Sequence, residues 1–231
     1  MKQWQIVVPS DFATTEKEYQ INGRSYHRVT MTLSVIAKHR LFQWASRVGQ
    51  DVVNKTLETR QVIGTHVHKL IELTLQGTDV NLGAYEKEIR EDMCRFFEFQ
   101  QVAELLPDGL EQRLWSNVYG YAGTADYVGN YKSPLKFLVR GHQPKFLESS
   151  YVIGDWKTGK DIYPQYWLQL AAYAMAFKEL TGVQVDGVFI CRLRDGKVKV
   201  KEMTWDELTE LFDVYLAVLK VYKWKYRLGD D

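Results

Sequence analysis

Gly154-Asp155-Trp156-Lys157-Thr158-Gly159 sets an acid and an amine two residues apart at the end of the apolar run Tyr151-Val152-Ile153. The run reads as a short buried strand that Thr158-Gly159 ends. Residues i and i+2 of a strand project from one face, so Asp155 and Lys157 point together into one cleft. A carboxylate there can hold a divalent cation, while the ammonium can orient a water and neutralise charge developing on a phosphate. The triplet alone is unspecific, since about one Asp-x-Lys is expected by composition in a chain of this size. Asp195-Gly196-Lys197 repeats it between Val188-Phe189-Ile190 and Val198-Lys199-Val200. That copy reads as a two-residue hairpin turn, which needs no chemistry.

The surroundings therefore decide. The 231 residues are 45% hydrophobic, enough for one sizeable core, and carry a net charge of only +1, so a nucleic-acid contact has to come from a local basic patch. Met1 to Phe12 lacks an apolar segment followed by a cleavage site, and the longest nearly apolar run, Leu170 to Phe177, is too short to cross a bilayer. A soluble, intracellular protein with no membrane partner is expected. The two cysteines, Cys94 and Cys191, form no CxxC pair and read as buried thiols, which leaves no iron-sulfur or four-cysteine zinc site.

On the N-terminal side, Trp4 to Val8 is a strand candidate, and Asn22-Gly23 between Tyr19–Ile21 and Arg24–His27 predicts a hairpin. These residues, 1–31, read as an embellishment. From Thr32 a helical period puts Leu41, Trp44, Ala45, Val48 and Val52 on one face, predicting a core helix. The next helix carries the stripe Val67, Leu70, Ile71 and Leu75, with His68 and Glu72 as i, i+4 neighbours beside it. The carboxylate can orient the imidazole as it does in many metal sites, while His66 points elsewhere. Leu75 to Leu82 is a loop. Ala84 to Leu105 is a helix laced by Glu86/Arg90 and Glu91/Arg95 that buries Ile89, Met93, Phe96 and Phe97 and ends at Pro107-Asp108-Gly109.

The pattern then turns extended. Glu111–Tyr121 and Thr124–Asn130 predict antiparallel strands joined near Gly120–Gly123, with Asp126 in the second. The connection 131–150 carries Lys132, Lys136, Arg140 and Lys145, a candidate phosphate grip that reads equally well as a solvated loop. After the central stretch, Pro164 opens a helix to about Leu180 with Gln165, Gln169 and Tyr173 on one face, closed by Gly182. Lys197, Lys199 and Lys201 alternate with Val198 and Val200, the mark of a charged edge strand. Thr204-x-x-Glu207 is a capping box opening the last helix, 205–231, whose packing face runs from Leu208 to Leu219.

Taken in order, four of these pieces resemble the RecB-type nuclease family of the PD-(D/E)xK superfamily, in particular its phage and bacterial exonuclease-like members. Gly64-Thr65-x-x-His68-x-x-x-Glu72 is similar to the GxxxH helix motif, and Gly123-Thr124-Ala125-Asp126 to GxxD. Gly154-Asp155-Trp156-Lys157 is similar to the DxK strand, and Gln169-Leu170-x-x-Tyr173 to QxxxY. The resemblance implies a restriction-endonuclease-like α/β core at 32–204, a mixed central sheet flanked by helices, with the last helix packed on it. It also implies one or two Mg²⁺ or Mn²⁺ ions held by His68, Asp126, Asp155 and the Trp156 carbonyl. Asp126, Asp155 and Lys157 would be the catalytic set, Glu72 would orient His68, and Gln169, Tyr173 and Gln165 would touch DNA. The implied activity is a metal-dependent deoxyribonuclease acting at DNA ends in recombination, repair or phage DNA processing. Its partners would be single-stranded or duplex ends and a single-strand-annealing or single-strand-binding protein, in a bacterial or phage-infected cytoplasm. A silent DNA clamp of the same fold, or an endonuclease for flapped or branched DNA, would share these residues.

Overall fold

The computed structural model describes the backbone of residues 4–15, 17–36 and 39–227. In chain order the elements are β1 (Ala13–Thr14), β2 (Glu18–Ile21), β3 (Arg24–Arg28), α1 (Val29–Thr32), α2 (His39–Val48), α3 (Gln50–Leu75) and α4 (Lys87–Ala103). There follow β4 (Leu106–Ser116), β5 (Tyr121–Tyr131), β6 (Ser150–Lys157), α5 (Pro164–Thr181), β7 (Gly187–Arg194), β8 (Lys197–Thr204) and α6 (Trp205–Arg227). One eight-stranded sheet runs β1-β2-β3-β5-β6-β7-β8, with β4 antiparallel along β5. The sheet is mixed: β6 and β7 are parallel and joined through α5, whereas β5–β6 and β7–β8 are antiparallel. The expected mixed sheet flanked by helices is the observed architecture.

The strands bury both faces, and their alternation divides the core. Ile153, Val188 and Ile190 pack with Leu170, Phe177, Phe212 and Tyr215 of α5 and α6. Val152, Trp156, Phe189 and Cys191 pack with Val67, Ile71, Met93 and Phe96 of α3 and α4. Asp155 and Lys157 share the α5 face with Ile153, while Trp156 is locked into the opposite face by edge contacts with Phe96 at 5.5 Å and Phe99 at 5.7 Å.

Several expectations are corrected. Trp4–Val8 joins no ladder; the segment is held by its side chain instead, with the Trp4 ring edge-on to Phe177 at 4.9 Å. The predicted core face across 41–52 does not form. Gly49, at φ +88°, separates α2 from α3, so residues on either side lose a common face: Trp44 and Ala45 are half-buried and Val48 and Val52 exposed. The Leu41 side chain lies outside the described residues. On α4, Phe97 is half-buried and Phe99 takes the core place; Arg90 donates to the Tyr85 carbonyl, and among the described residues the ion pairs within the helix are Lys87–Glu91 and Arg95–Glu98. Pro107-Asp108-Gly109 lies inside β4 at a register shift, a place a strand can accommodate proline. Cys94 is exposed on α4 and only Cys191 is buried. The hairpin at Asn22-Gly23 forms as read, with φ +51° and +69°. No described helix is long and apolar enough to cross a membrane.

Candidate active site

Strands β5 and β6 pair only from Tyr131↔Ser150 to Tyr127↔Gly154. Beyond that point the ladder stops, and the Trp156 N–H donates to the Asp126 carboxylate at 2.8 Å instead of to a backbone carbonyl. The two strands thus part at the residues that carry the acids. Into the gap α3 brings His68, whose Nδ1 stands 3.3 Å from Asp126 Oδ2. Gly64 permits this approach: a Cβ there would lie 3.2 Å from Thr158 Oγ1.

The opening is a cleft of about 690 Å³ lined by α3 (Arg60, Gly64, His68, Lys69) on one side and by Lys157, Thr158, Gly159 and Tyr166 on the other. Glu111 of β4 also faces it. Trp156 belongs to the lining although its side chain is almost wholly buried, so its backbone is what the cleft sees. On the floor, Lys157 Nζ donates to Asp155 Oδ1 at 2.8 Å and lies 4.6 Å from the Tyr166 ring centre. Asp155 is 2% exposed. Its Oδ2 is 2.7 Å from the same ammonium but outside hydrogen-bonding angles, so this buried oxygen has no hydrogen bond.

Burial and mutual charge set the protonation states. Burial alone would lower His68, but the charge and hydrogen bond of Asp126 outweigh it and push the imidazole up to about 9. Burial would raise Asp126, yet His68 holds it below the ordinary aspartate value. Asp155 is pushed up to about 6, by burial first and by the Asp126 charge, against the pull of Lys157. Burial works against the Lys157 ammonium, and the two aspartates more than compensate, raising it. Glu111, open to the cleft yet crowded by its walls, is pushed up to about 7 by burial and by Asp126.

The sequence-predicted residues distribute as follows. His68 meets Asp126 and Lys157 meets Asp155, the two pairs near enough for each charge to act on the other, but Asp155 stands outside the group of ligand atoms within 4.8 Å of one another. Glu72 does not meet His68: its carboxylate accepts from Lys69 at 2.7 Å and Gln76 at 3.2 Å, and Asp126 has taken the imidazole nitrogen. Gln169 and Tyr173 are buried, not cleft-lining. Gln169 Nε2 donates to Tyr173 OH at 3.2 Å and reaches Asp155 at 3.4 Å, so the pair supports the acid from behind. Gln165 is half-buried and outside the lining. Lys132, Lys136 and Arg140 line no part of the cleft. Lys132 pairs with Glu104 past the far end of β5, while Lys136 and Arg140 ride on the segment bridged to the outer edge of β8 at Leu138↔Val200. His66 faces Tyr85 on the other side of α3.

Glu111 was not legible as a site residue. Its carboxylate oxygen, a His68 ring nitrogen and an Asp126 carboxylate oxygen lie within 4.8 Å of one another. Its β4 neighbours Leu110 and Gln112 pair with Tyr127 and Ala125, which brackets Glu111 opposite Asp126 in an unshifted register, with a backbone φ of +45°. The signal available in the sequence was that antiparallel register, counted from the turn.

One nitrogen and several carboxylate oxygens suit a hard divalent cation, Mn²⁺ somewhat more than an all-oxygen set would. The buried Asp155 Oδ2, left without a hydrogen bond, fits the same group.

No protein-family profile and no curated protein matches the chain. Among solved structures, a Eubacterium rectale protein provisionally described as an exonuclease matches with a TM-score of 0.50 at 16% identity, over 86% of this chain and 81% of that one. The fold is shared with that nuclease-like structure. The protein SSO0001 matches at 12% identity over 83% and 74%, with a TM-score of 0.36, too distant to inform the fold.

Proposed function

We propose that this chain is a metal-dependent deoxyribonuclease of the RecB-type PD-(D/E)xK kind, acting as an exonuclease on DNA ends. The observation that carries the reading is the trio His68, Glu111 and Asp126, with ligand atoms within 4.8 Å of one another, beside the Asp155–Lys157 pair. These residues, with Asp155 and the Trp156 carbonyl, would hold Mg²⁺ or Mn²⁺, which when bound supplies Lewis acidity toward a phosphate and acidifies a water.

The chain's own groups do the rest. Asp126 keeps His68 turned into the gap, and Gln169 holds Asp155 from behind. Lys157 carries its charge between Asp155 and the Tyr166 ring, where it would face the negative charge that builds on the scissile phosphate. The likeness to the provisionally described exonuclease agrees with this reading at the level of fold alone.

The test incubates purified protein with Mg²⁺ or Mn²⁺ and three substrates: an end-labelled linear duplex, a labelled single strand and a closed circle. Linear DNA should be degraded and the circle spared. Lys157→Ala should lower the rate by about 10²–10⁴-fold. Equal activity in that variant refutes the assignment.

A further inference from the structure

The Asp195-Gly196-Lys197 turn, chemically idle by its sequence, adjoins the cleft. Asp195 binds two guanidiniums, Arg192 Nη2 at 3.2 Å and Arg194 Nε at 3.3 Å. Those arginines grip the residues just after Lys157: Arg192 Nε donates to the Gly159 carbonyl at 2.9 Å and Arg194 Nη1 to the Thr158 carbonyl at 3.1 Å. The hairpin is thus fastened to the rim of the site.

Register then aligns the charges. Lys157 is opposite Arg192, Arg192 opposite Lys199, and Arg194 opposite Lys197. Directly opposed residues project from the same face, here the α5 face on which Lys157 and Asp155 stand. With strands about 4.8 Å apart, Lys157 and Lys199 end a row of about 10 Å leading outward, and Arg192 between them is buried beneath it, bound to the Gly159 carbonyl and to Asp195. At about 3.4 Å per stacked nucleotide, that row spans two to three nucleotides. Segments 158–161 and 192–201 hold six basic residues (Lys160, Arg192, Arg194, Lys197, Lys199, Lys201) against Asp161 and Asp195, in a chain whose net charge is +1. Lys160, Lys197 and Lys199 are exposed and, among the described residues, join no ion pair. Protection of a bare edge strand accounts for them only in part, since at Val200 β8 is already covered by the Leu138↔Val200 bridge and the Val139 N–H, which donates to the Val200 carbonyl at 3.0 Å.

We infer that the lysines along this row, Lys157 in the cleft and the exposed Lys160, Lys197 and Lys199, form a cationic lane that carries the phosphodiester backbone of a single nucleic-acid strand between the cleft and the outer edge of the sheet. The inference rests on the nuclease reading above and adds the path of the substrate.

The experiment uses the full chain and measures cleavage of a 30-nucleotide single strand against salt. For Lys197→Glu/Lys199→Glu, KM should rise tenfold or more, and the slope of log KM against log salt should flatten by about 1.4, two phosphates at about 0.7 each. Lys197→Arg/Lys199→Arg should restore both, which separates charge from folding. Lys132→Glu, at the far end of β5, should leave the slope as it is. If the double glutamate variant melts like the parent and keeps the parent's KM and slope, the lane is overturned while the nuclease assignment stands. If the parent protein cleaves nothing, the assignment falls and the lane with it.

Discussion

The Oδ2 atom of Asp126 lies 3.3 Å from His68 Nδ1 and accepts the Trp156 N–H at 2.8 Å, so a single carboxylate oxygen ties α3, β5 and β6 together where the two strands part. The bond that orders the site is therefore also one that a bound cation would share. Asp126→Asn should cost metal affinity and fold stability at once, because the amide keeps the shape but loses the charge that holds His68 protonated. Calorimetric titration with Mn²⁺ should show an affinity drop of at least tenfold, and thermal melting a loss of a few degrees. Unchanged Mn²⁺ binding would remove Asp126 from the metal site.

Glu111 should behave as a ligand and Glu72 should not. The first lies opposite Asp126 with its oxygen inside the 4.8 Å trio, whereas the second is engaged by Lys69 and Gln76. Glu111→Gln should weaken Mn²⁺ binding about 10–100-fold, and Glu72→Gln by less than threefold. The reverse order would restore the helix-neighbour reading of Glu72.

Tyr166 should act through Lys157. The ring lies 4.6 Å from the ammonium, and an ammonium over an aromatic face gains about 0.5–2 kcal/mol. Tyr166→Ala should therefore lower kcat by roughly 2- to 30-fold, with Tyr166→Phe recovering most of it. If Phe is as impaired as Ala, the hydroxyl and not the ring is what matters.

Gly123 is where the GxxD motif meets the QxxxY motif. A Cβ at this position would fall 2.8 Å from the Tyr173 hydroxyl and closer still to the ring edge. Gly123→Ala should push the ring off and break its bond with Gln169, at a cost of about 1–3 kcal/mol, which is a Tm fall of roughly 2–10 °C for a chain of this size. Adding Tyr173→Phe should not rescue it, since the ring itself is struck; full rescue would show the clash to be only with the hydroxyl.

What the sequence disclosed and what it hid follow one division. Asp155 and Lys157 were legible because period-2 projection is local, and His68 and Asp126 because Gly64-x-x-x-His68 and Gly123-x-x-Asp126 resemble family motifs; in the structure each of those glycines stands where two elements approach. Glu111, the stacking of Tyr166 on Lys157, and the burial of Gln169 and Tyr173 depend on strand register and on the depth of α5, which no local spacing encodes. The α2–α3 face failed for a similar reason: periodicity counted through Gly49 ignores the change of direction that its φ of +88° imposes.

Asp92 allows a prediction away from the site. It is 6% exposed on α4, and its carboxyl is pushed up to about 7, chiefly by burial and with Glu88 and Asp195 adding to it, against Arg194 and Arg60. In the unfolded chain the same group ionises near 4. Its contribution to stability is thus present in full below about pH 4, declines as pH rises because the native state holds a proton the unfolded chain has lost, and is gone above pH 7. Asp92→Asn never ionises, so it should escape that decline. Melting curves should nearly coincide at pH 4 and separate progressively to pH 8, where the Asn variant should melt several degrees higher, at roughly 2–4 °C per kcal/mol. Parallel pH profiles for the two proteins would mean that Arg194 and Arg60 already neutralise the buried charge.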